Sequence, residues 1–246
     1  MTPGLVAEPV PGLPEIEPGT DLAALITAAG IDIGASDVVV VSQKAVSKAE
    51  GRVVSLAGVT PTPRARELAA ALGKEPELVQ LVLDESVEVL RAERGVLITR
   101  TRQGFVCANS GVDRSNVPAD GRACLLPIDP DASARRLRAA LPGRPAVVVA
   151  DSFGRAWRLG QADVAIGCAG LRPLDDRRGT ADHHGRELVA TVDAIADQAA
   201  SAAALARDKA GREAVVVVRG LERYVTAEDG PGAMAILRPR AEDLFA

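Results

Sequence analysis

Three runs of consecutive valines, at residues 38–41, 147–149 and 215–218, constrain this chain more than any other feature. β-Branched side chains are stiff at χ1 and pack well on a pleated surface, so such runs favour strand over helix. None of the three alternates with polar residues, and Asp37, then Pro145 and Asp151, then Glu213 and Arg219 stand within two residues of their ends. That is the pattern of a central strand covered on both faces. The chain holds few aromatic residues, Phe105, Phe153, Trp157, Tyr224 and Phe245, so its core is built from Val, Leu, Ile and Ala. With 246 residues, 47% of them hydrophobic, it has the length for one large or two small domains.

The remaining elements follow from periodicity and caps. Residues 95–102 run through Gln103-Gly104 into residues 105–108 and read as a hairpin with Gly104 in its turn. Thr20-Asp21 caps a helix over residues 22–29 that ends at Gly30, and a helix over residues 64–72 ends at Gly73. Pro76 opens another, with Leu78, Val79, Val82 and Leu83 on its inner face and Glu85, Glu88 and Arg91 outside. Asp131 or Ser133 opens a helix over residues 134–141, and the longest helix is expected from Glu187 to Lys209 with Asp193, Asp197 and Asp208 outward. Strands and helices do not alternate regularly and no internal repeat is present, which argues for a mixture of α and β other than a doubly wound sheet.

Charge and composition exclude several functions. Against 33 Asp and Glu stand 29 Lys and Arg, a net charge of −4, with none of the basic surplus that tracking a phosphate backbone needs. Few aromatics also means few stacking platforms for bases, so nucleic acid is not an expected partner. The three cysteines are widely separated and the two histidines adjacent, a pattern of buried thiols in a reduced compartment and not of a zinc site. The start of the chain lacks a signal-peptide pattern and no apolar run approaches membrane-spanning length, so a cytoplasmic protein with no membrane partner is expected.

The motifs GxxxxGK[ST], GxGxxG after a strand, GxSxG and HExxH are all missing. Chemistry in this chain therefore rests on carboxylates, hydroxyls, Arg and Lys, a set that suits a divalent cation with phosphate-bearing ligands. Two polar, glycine-containing stretches read as loops at strand ends, residues 109–116 and 151–163. In the first, Gly111-Val-Asp-Arg-Ser-Asn116 places Asp113 among oxygen donors, as a metal site or a turn would. In the second, Asp151 and Ser152 follow a valine run, as a metal site or a helix cap would. Arg155 and Arg158 flank Trp157 and form a guanidinium clamp or a solvated face, and Gln161 and Asp163 continue the polar set. After the first valine run, Ser42, Gln43, Lys44 and Lys48 offer donors for phosphate if a helix begins there.

Gly12-Leu-Pro-Glu-Ile16, Ser42-Gln-Lys-Ala-Val-Ser-Lys-Ala-Glu-Gly51, Gly111-Val-Asp-Arg-Ser-Asn116, Asp129-Pro-Asp-Ala-Ser133, Asp151-Ser-Phe-Gly-Arg-Ala-Trp-Arg158, Gly160-Gln-Ala-Asp-Val-Ala-Ile-Gly167 and Val218-Arg-Gly220 occur in this order over nearly the whole chain. Together they resemble the coenzyme F420-0:L-glutamate ligase family. The resemblance implies an α+β, two-lobed monomer in an intertwined homodimer, related to neither P-loop nor ATP-grasp enzymes, with residues 1–246 forming one ligase domain. It implies a GTP-dependent amide ligase that joins L-glutamate to the lactyl carboxylate of the deazaflavin F420-0 and adds further glutamates by γ-linkage.

By the same resemblance Leu13, Pro14, Glu15, Ile16, Gln43, Lys48 and Asn116 contact GTP, and Asp113, Asp151 and Ser152 bind divalent metal, two Mg²⁺ or Mn²⁺, with K⁺ as a further cofactor. Asp113, Asp151 and Arg155 are the expected catalytic residues, and Arg100, Arg102, Arg114, Arg155 and Arg158 the expected positive wall for three anionic reactants. The sequence departs from the family at Ser152 and Ala162, where Thr is usual, and at Arg177 and His184, where aromatic residues are expected. The C-terminal flavin-binding domain of some relatives is not expected here. Two rivals stay open at this point: a ligase for another acid or amino acid, and a non-catalytic module that binds a nucleotide or deazaflavin.

Overall fold

The computed structural model describes residues 4–117, 120–208, 211 and 213–243. The first half of the chain runs β1 (Val6–Pro9), α1 (Leu22–Ala28), β2 (Val38–Ser42), α2 (Gln43–Ala49), β3 (Val53–Ser55), α3 (Pro63–Leu72), α4 (Pro76–Asp84), β4 (Ser86–Glu93), β5 (Val96–Thr101), β6 (Val106–Ala108) and β7 (Arg122–Cys124). Then follow α5 (Pro130–Ala140), β8 (Ala146–Arg155), β9 (Arg158–Ala169), β10 (Leu174–Asp176), β11 (Val192–Ala194), α6 (Ile195–Ala206) and β12 (Val215–Arg219).

The valine runs become the three central strands of a five-stranded sheet, in the order β1-β12-β2-β8-β9. β2 and β8 are parallel and the other neighbours antiparallel, so the sheet is mixed and the fold is α+β, as expected. Every valine of the three runs is fully buried. Val39, Val41, Val147, Val149, Val215 and Val217 face a core with Ile26 of α1 and Leu137 of α5. Val38, Val40, Val148, Val216 and Val218 face Ile195, Ala196, Ala199, Ala200 and Ala203 of α6. Alternate residues of a strand point to opposite faces, so each run serves both layers. Burying each such side chain contributes about 1.5–3 kcal/mol before conformational entropy is counted. The alanine stripe of α6 lets that helix lie close to the sheet, and Asp197 in its first turn accepts the Ala165 N–H at 2.9 Å.

A second apolar core lies between β3 and α5 in sequence. Leu72 of α3, Val79 and Val82 of α4, Leu97 of β5 and Leu125 form it over the three-stranded sheet β4-β5-β6, with β3 and β7 paired beside it. Phe105, in the β5–β6 turn, meets Phe153 of β8 edge-on at 6.2 Å between ring centroids and so ties this unit to the central sheet. The expected turn is present, with Gly104 at φ +99°.

Four expectations need correction. The helix opened by Pro76 stops at Asp84, and Glu88 and Arg91 lie on β4, where Ser86 onwards pairs with β5. The long helix from Glu187 is helical only over Ile195–Ala206; Val192 and Asp193 pair with β10 instead, and Lys209 lies outside the described residues. α5 starts at Pro130 and is capped by Asp129, whose carboxylate accepts the Ala132 N–H at 2.8 Å, and not by Asp131 or Ser133. Residues 151–163 are not a loop: β8 and β9 continue as a paired hairpin that turns at Ala156-Trp157, with Trp157 at φ +60°. Polar side chains there report exposure of the hairpin, while the backbone ladder that holds it needs no apolar residue.

Candidate active site

The parallel pairing of β2 with β8 sets Ser42 beside Ala150. Beyond these partners one chain turns into α2 and the other continues to Asp151, so two groups of polar residues diverge from one point of a rigid sheet. Between them lies a cleft of about 650 Å³, lined by Pro14, Glu15, Ile16, Ser42, Lys44, Lys48, Asp113, Ser115, Asn116, Asp151, Ser152, Gln161, Asp163 and Arg207 among others. The carboxyl ends of strands in an open sheet are where ligand crevices form.

Lys44 and Lys48 lie four apart on α2 and so share a face. Lys48 Nζ is 2.5 Å from Glu15 Oε1, and Lys44 Nζ is 2.6 Å from Asp113 Oδ2 and also donates to Ser115 Oγ. Asp113 is fixed through its main chain, which exchanges two hydrogen bonds with Cys124 of β7 at 3.0 and 2.8 Å. The preceding turn is tightly constrained. Asn109, Ser110 and Gly111 have φ of +53°, +52° and +69°, and a Cβ on Gly111 would lie 2.6 Å from Leu126 Cγ. Burial acts to raise the Asp113 pKa, but hydrogen bonds from Lys44 and from the Ser115 N–H and hydroxyl outweigh it and hold the carboxyl below its ordinary value.

Asp151 behaves oppositely. Burial pushes its pKa up to about 7, with the charges of Asp163 and Asp113 adding to the rise against the Ser152 N–H and Lys44. The Ser152 hydroxyl donates to Asp163 Oδ1 at 2.5 Å, and Arg207 Nη2 donates to Asp163 Oδ2 at 2.8 Å. Asp113, Asp151 and Asp163 thus gather negative charge around one end of the cleft, and Lys44 and Arg207 answer it.

Among the described residues, no three His, Cys, Asp or Glu side chains converge into a ready-made cation site. The donors present, two carboxylates from Asp113 and Asp151 and the hydroxyl oxygen of Ser152, still fit Mg²⁺ or Mn²⁺, which commonly takes one or two carboxylates and completes its shell with phosphate oxygens and water. The chemistry of this donor set is that of a cation delivered with a phosphate-bearing ligand. Asp151, whose pKa burial raises to about 7, is a carboxyl that such a cation would hold in its ionised form.

The structure brings most of the expected residues together. Pro14, Glu15, Ile16, Lys48, Asn116, Asp113, Asp151 and Ser152 all line the cleft. Leu13 and Gln43 turn their side chains into the interior: Leu13 joins the main core, and Gln43 Nε2 donates to Ser47 Oγ at 2.7 Å and to the Leu125 carbonyl at 3.1 Å. Arg155 stands near the exposed tip of the β8–β9 hairpin and donates to the Leu159 carbonyl at 2.8 Å, away from the cleft. The expected arginine wall is not there either. Arg100 pairs with Glu88, Arg114 with Glu75, and Arg102 donates to the Asp84 carbonyl. Among the described residues, the cations lining the cleft are Lys44, Lys48 and Arg207. Arg177 pairs with Asp175 and Asp193, and His184 lies against His183 with the rings tilted by 43°, both outside the cleft lining.

The family model of F420-0:Gamma-glutamyl ligase matches residues 12–220. The chain is 42% identical to the coenzyme F420:L-glutamate ligase of Methanothermobacter thermautotrophicus, over 96% of each chain. It is 42% identical to that of Methanopyrus kandleri, over 99% of this chain and 98% of the relative, and 43% identical to that of Halobacterium salinarum, over 93% and 95%. The matched span carries every strand and helix that shapes the cleft, and on this evidence the chain belongs to the F420-0:gamma-glutamyl ligase family.

Proposed function

We propose that this protein is a GTP-dependent amide ligase that joins L-glutamate to the lactyl carboxylate of F420-0 and extends the product by γ-linked glutamates. The supporting observation is the cleft itself, where, among the described residues, Lys44, Lys48 and Arg207 face Asp113, Asp151, Asp163 and the Ser152 hydroxyl, beside the end of β2 and the middle of β8. That combination suits a nucleotide triphosphate carrying divalent cations better than it suits any one anion.

A carboxylate does not condense with an amine at neutral pH until its oxygen becomes a better leaving group. The substrate carboxylate attacks the γ-phosphorus of GTP, the bond to the β-phosphate oxygen breaks, and GDP leaves with an acyl phosphate behind. The amine nitrogen of glutamate then bonds to the acyl carbon as the C–O bond to phosphate breaks, giving the amide, inorganic phosphate and a proton. Lys44 and Lys48 bind and orient phosphate oxygens from α2. Glu15, paired with Lys48, fixes the segment 13–16 against that lysine. Asp113, Asp151 and Ser152 hold the divalent cations, two Mg²⁺ or Mn²⁺, which supply charge neutralisation of the phosphates when bound. K⁺ is a further cofactor in this reading. The protein is a homodimer in it, and the exposed β8–β9 tip with Arg155 lies outside the chemical step.

Mass spectrometry of F420-0 incubated with the protein, L-glutamate, GTP and Mg²⁺ or Mn²⁺ tests the reading. Products heavier by one or more glutamyl residues, absent when GTP or metal is omitted, support it. Nucleotide binding without ligation of F420-0 would overturn it in favour of another acid substrate or a binding module.

A further inference from the structure

Asp163 belongs to none of the roles described so far, yet it is the one buried carboxylate among the described residues that line the cleft. It is buried on β9, directly across the ladder from Ser152. Its Oδ1 accepts the Ser152 hydroxyl at 2.5 Å, its Oδ2 accepts Arg207 Nη2 at 2.8 Å, and its main-chain carbonyl accepts the Ser201 hydroxyl of α6 at 2.8 Å. The ion pair is enclosed on both sides, with side chains 8% and 10% exposed.

A serine hydroxyl has one proton and two lone pairs. Once the proton is committed to a carboxylate, the oxygen can only accept, and it offers electron density to whatever approaches from the cleft. An anion gains nothing from such an oxygen, whereas a cation does. Without Asp163 the proton loses this acceptor and can turn toward the cation position. Arg207 pairs with the carboxylate and offsets part of its charge, so the orientation is imposed by an ion pair and not by a lone carboxylate.

We infer that Asp163 is a positioning residue that holds the Ser152 hydroxyl as a pure acceptor toward the divalent cation, with Arg207 holding Asp163 in turn. The inference rests on the reading of Ser152 as a cation ligand. It also gives a physical reason why serine serves in place of threonine: the ladder pairing and Asp163 fix the hydroxyl, so a γ-methyl is not needed to restrict its rotamer.

Mn²⁺ titration followed by electron paramagnetic resonance, with a non-hydrolysable β,γ-imido analogue of GTP present, tests this on the intact chain. In Asp163→Asn the single amide oxygen is claimed by Arg207 and the amide N–H group meets the Ser152 oxygen. Mn²⁺ affinity is then expected to fall about 10-fold, the scale of losing a group that orients a metal ligand. In a Ser152→Ala background the same substitution should change affinity by less than about 2-fold, the scatter of independent sites. Should Asp163→Asn fail to fold, the apolar pair Asp163→Leu with Arg207→Met removes both charges together and is examined in the same two backgrounds. Equal losses in both backgrounds, or none in either, overturn the inference and leave Asp163 a structural ion pair. If the wild-type protein binds no Mn²⁺ with the analogue present, the cation reading of the cleft fails as well, an outcome distinct from wild-type binding that Asp163→Asn leaves unchanged.

Discussion

Lys44 Nζ lies 2.6 Å from Asp113 Oδ2, and the same ammonium opposes the burial-driven rise of the Asp151 pKa, so one side chain on α2 links carboxylates from two separate parts of the chain. Replacing it by Met removes the charge but keeps the length of the stem. Lys44→Met should fold, because its ammonium faces the cleft, and should lower the ligation rate by roughly 100-fold, the scale of losing one preorganised donor. Steady-state rates alongside a thermal melt check this. A variant that ligates normally would remove Lys44 from phosphate binding.

Asp151 gives a pH dependence with a definite sign. Its pKa rises from 3.8 to about 7 on folding, chiefly through burial. Between these values the folded protein binds more protons than the unfolded chain, so stability is lost as pH rises through about 4 to 7 and is constant above that. The size is on the order of a few kcal/mol, since each pKa unit corresponds to about 1.4 kcal/mol. With metal chelated, Asp151→Asn should therefore melt higher than wild type at pH 8 and nearly equal to it at pH 4, while being inactive throughout. Adding Mn²⁺ and nucleotide should raise the wild-type melting temperature and leave the variant unmoved. Equal melting temperatures at pH 8 would mean that Asp151 is ionised at no cost.

The turn before Asp113 makes a separate prediction. Gly111 has φ +69°, and an added Cβ meets Leu126 side-chain carbons at 2.6–2.8 Å. Gly111→Ala must therefore accept both backbone strain and a clash against a fully buried leucine. A loss of about 2 kcal/mol or more is expected, with reduced ligation because Asp113 sits two residues on. Chemical denaturation measures the first and product formation the second.

The fold was legible where residue type alone decides. A run of valines cannot be an exposed helix, and the three runs became the sheet's centre with both faces covered. It was illegible where two patterns compete. Residues 187–194 are polar enough for a helix surface, but Val192 and Asp193 find partners on β10, and only tertiary pairing decides that. The cleft shows the same division. Asp113, Asp151 and Ser152 stood in polar segments after apolar runs and were found there. Arg207 had no local signal, since a cation just beyond a helix is ordinarily solvated, and only the fold brings it to Asp163, 44 residues earlier. The arginines of residues 100–114 looked equally suited, but each is taken by a nearby carboxylate or carbonyl.

Gln43 puts that division to a sharp test. The family resemblance assigns it to GTP, whereas its side chain is 1% exposed and bonds Ser47 and the Leu125 carbonyl, joining α2 to the strand that carries Cys124. Gln43→Leu preserves approximate volume but leaves the Leu125 carbonyl without this donor. The expected loss is about 1–3 kcal/mol of stability, the cost of an unsatisfied buried group. The KM for GTP should change less than about 3-fold, because a loss of roughly 0.6 kcal/mol in binding already corresponds to that factor. A tenfold rise in KM with an unchanged melting temperature would place the amide on the nucleotide instead, and would require α2 to rotate its first turn into the cleft when GTP binds.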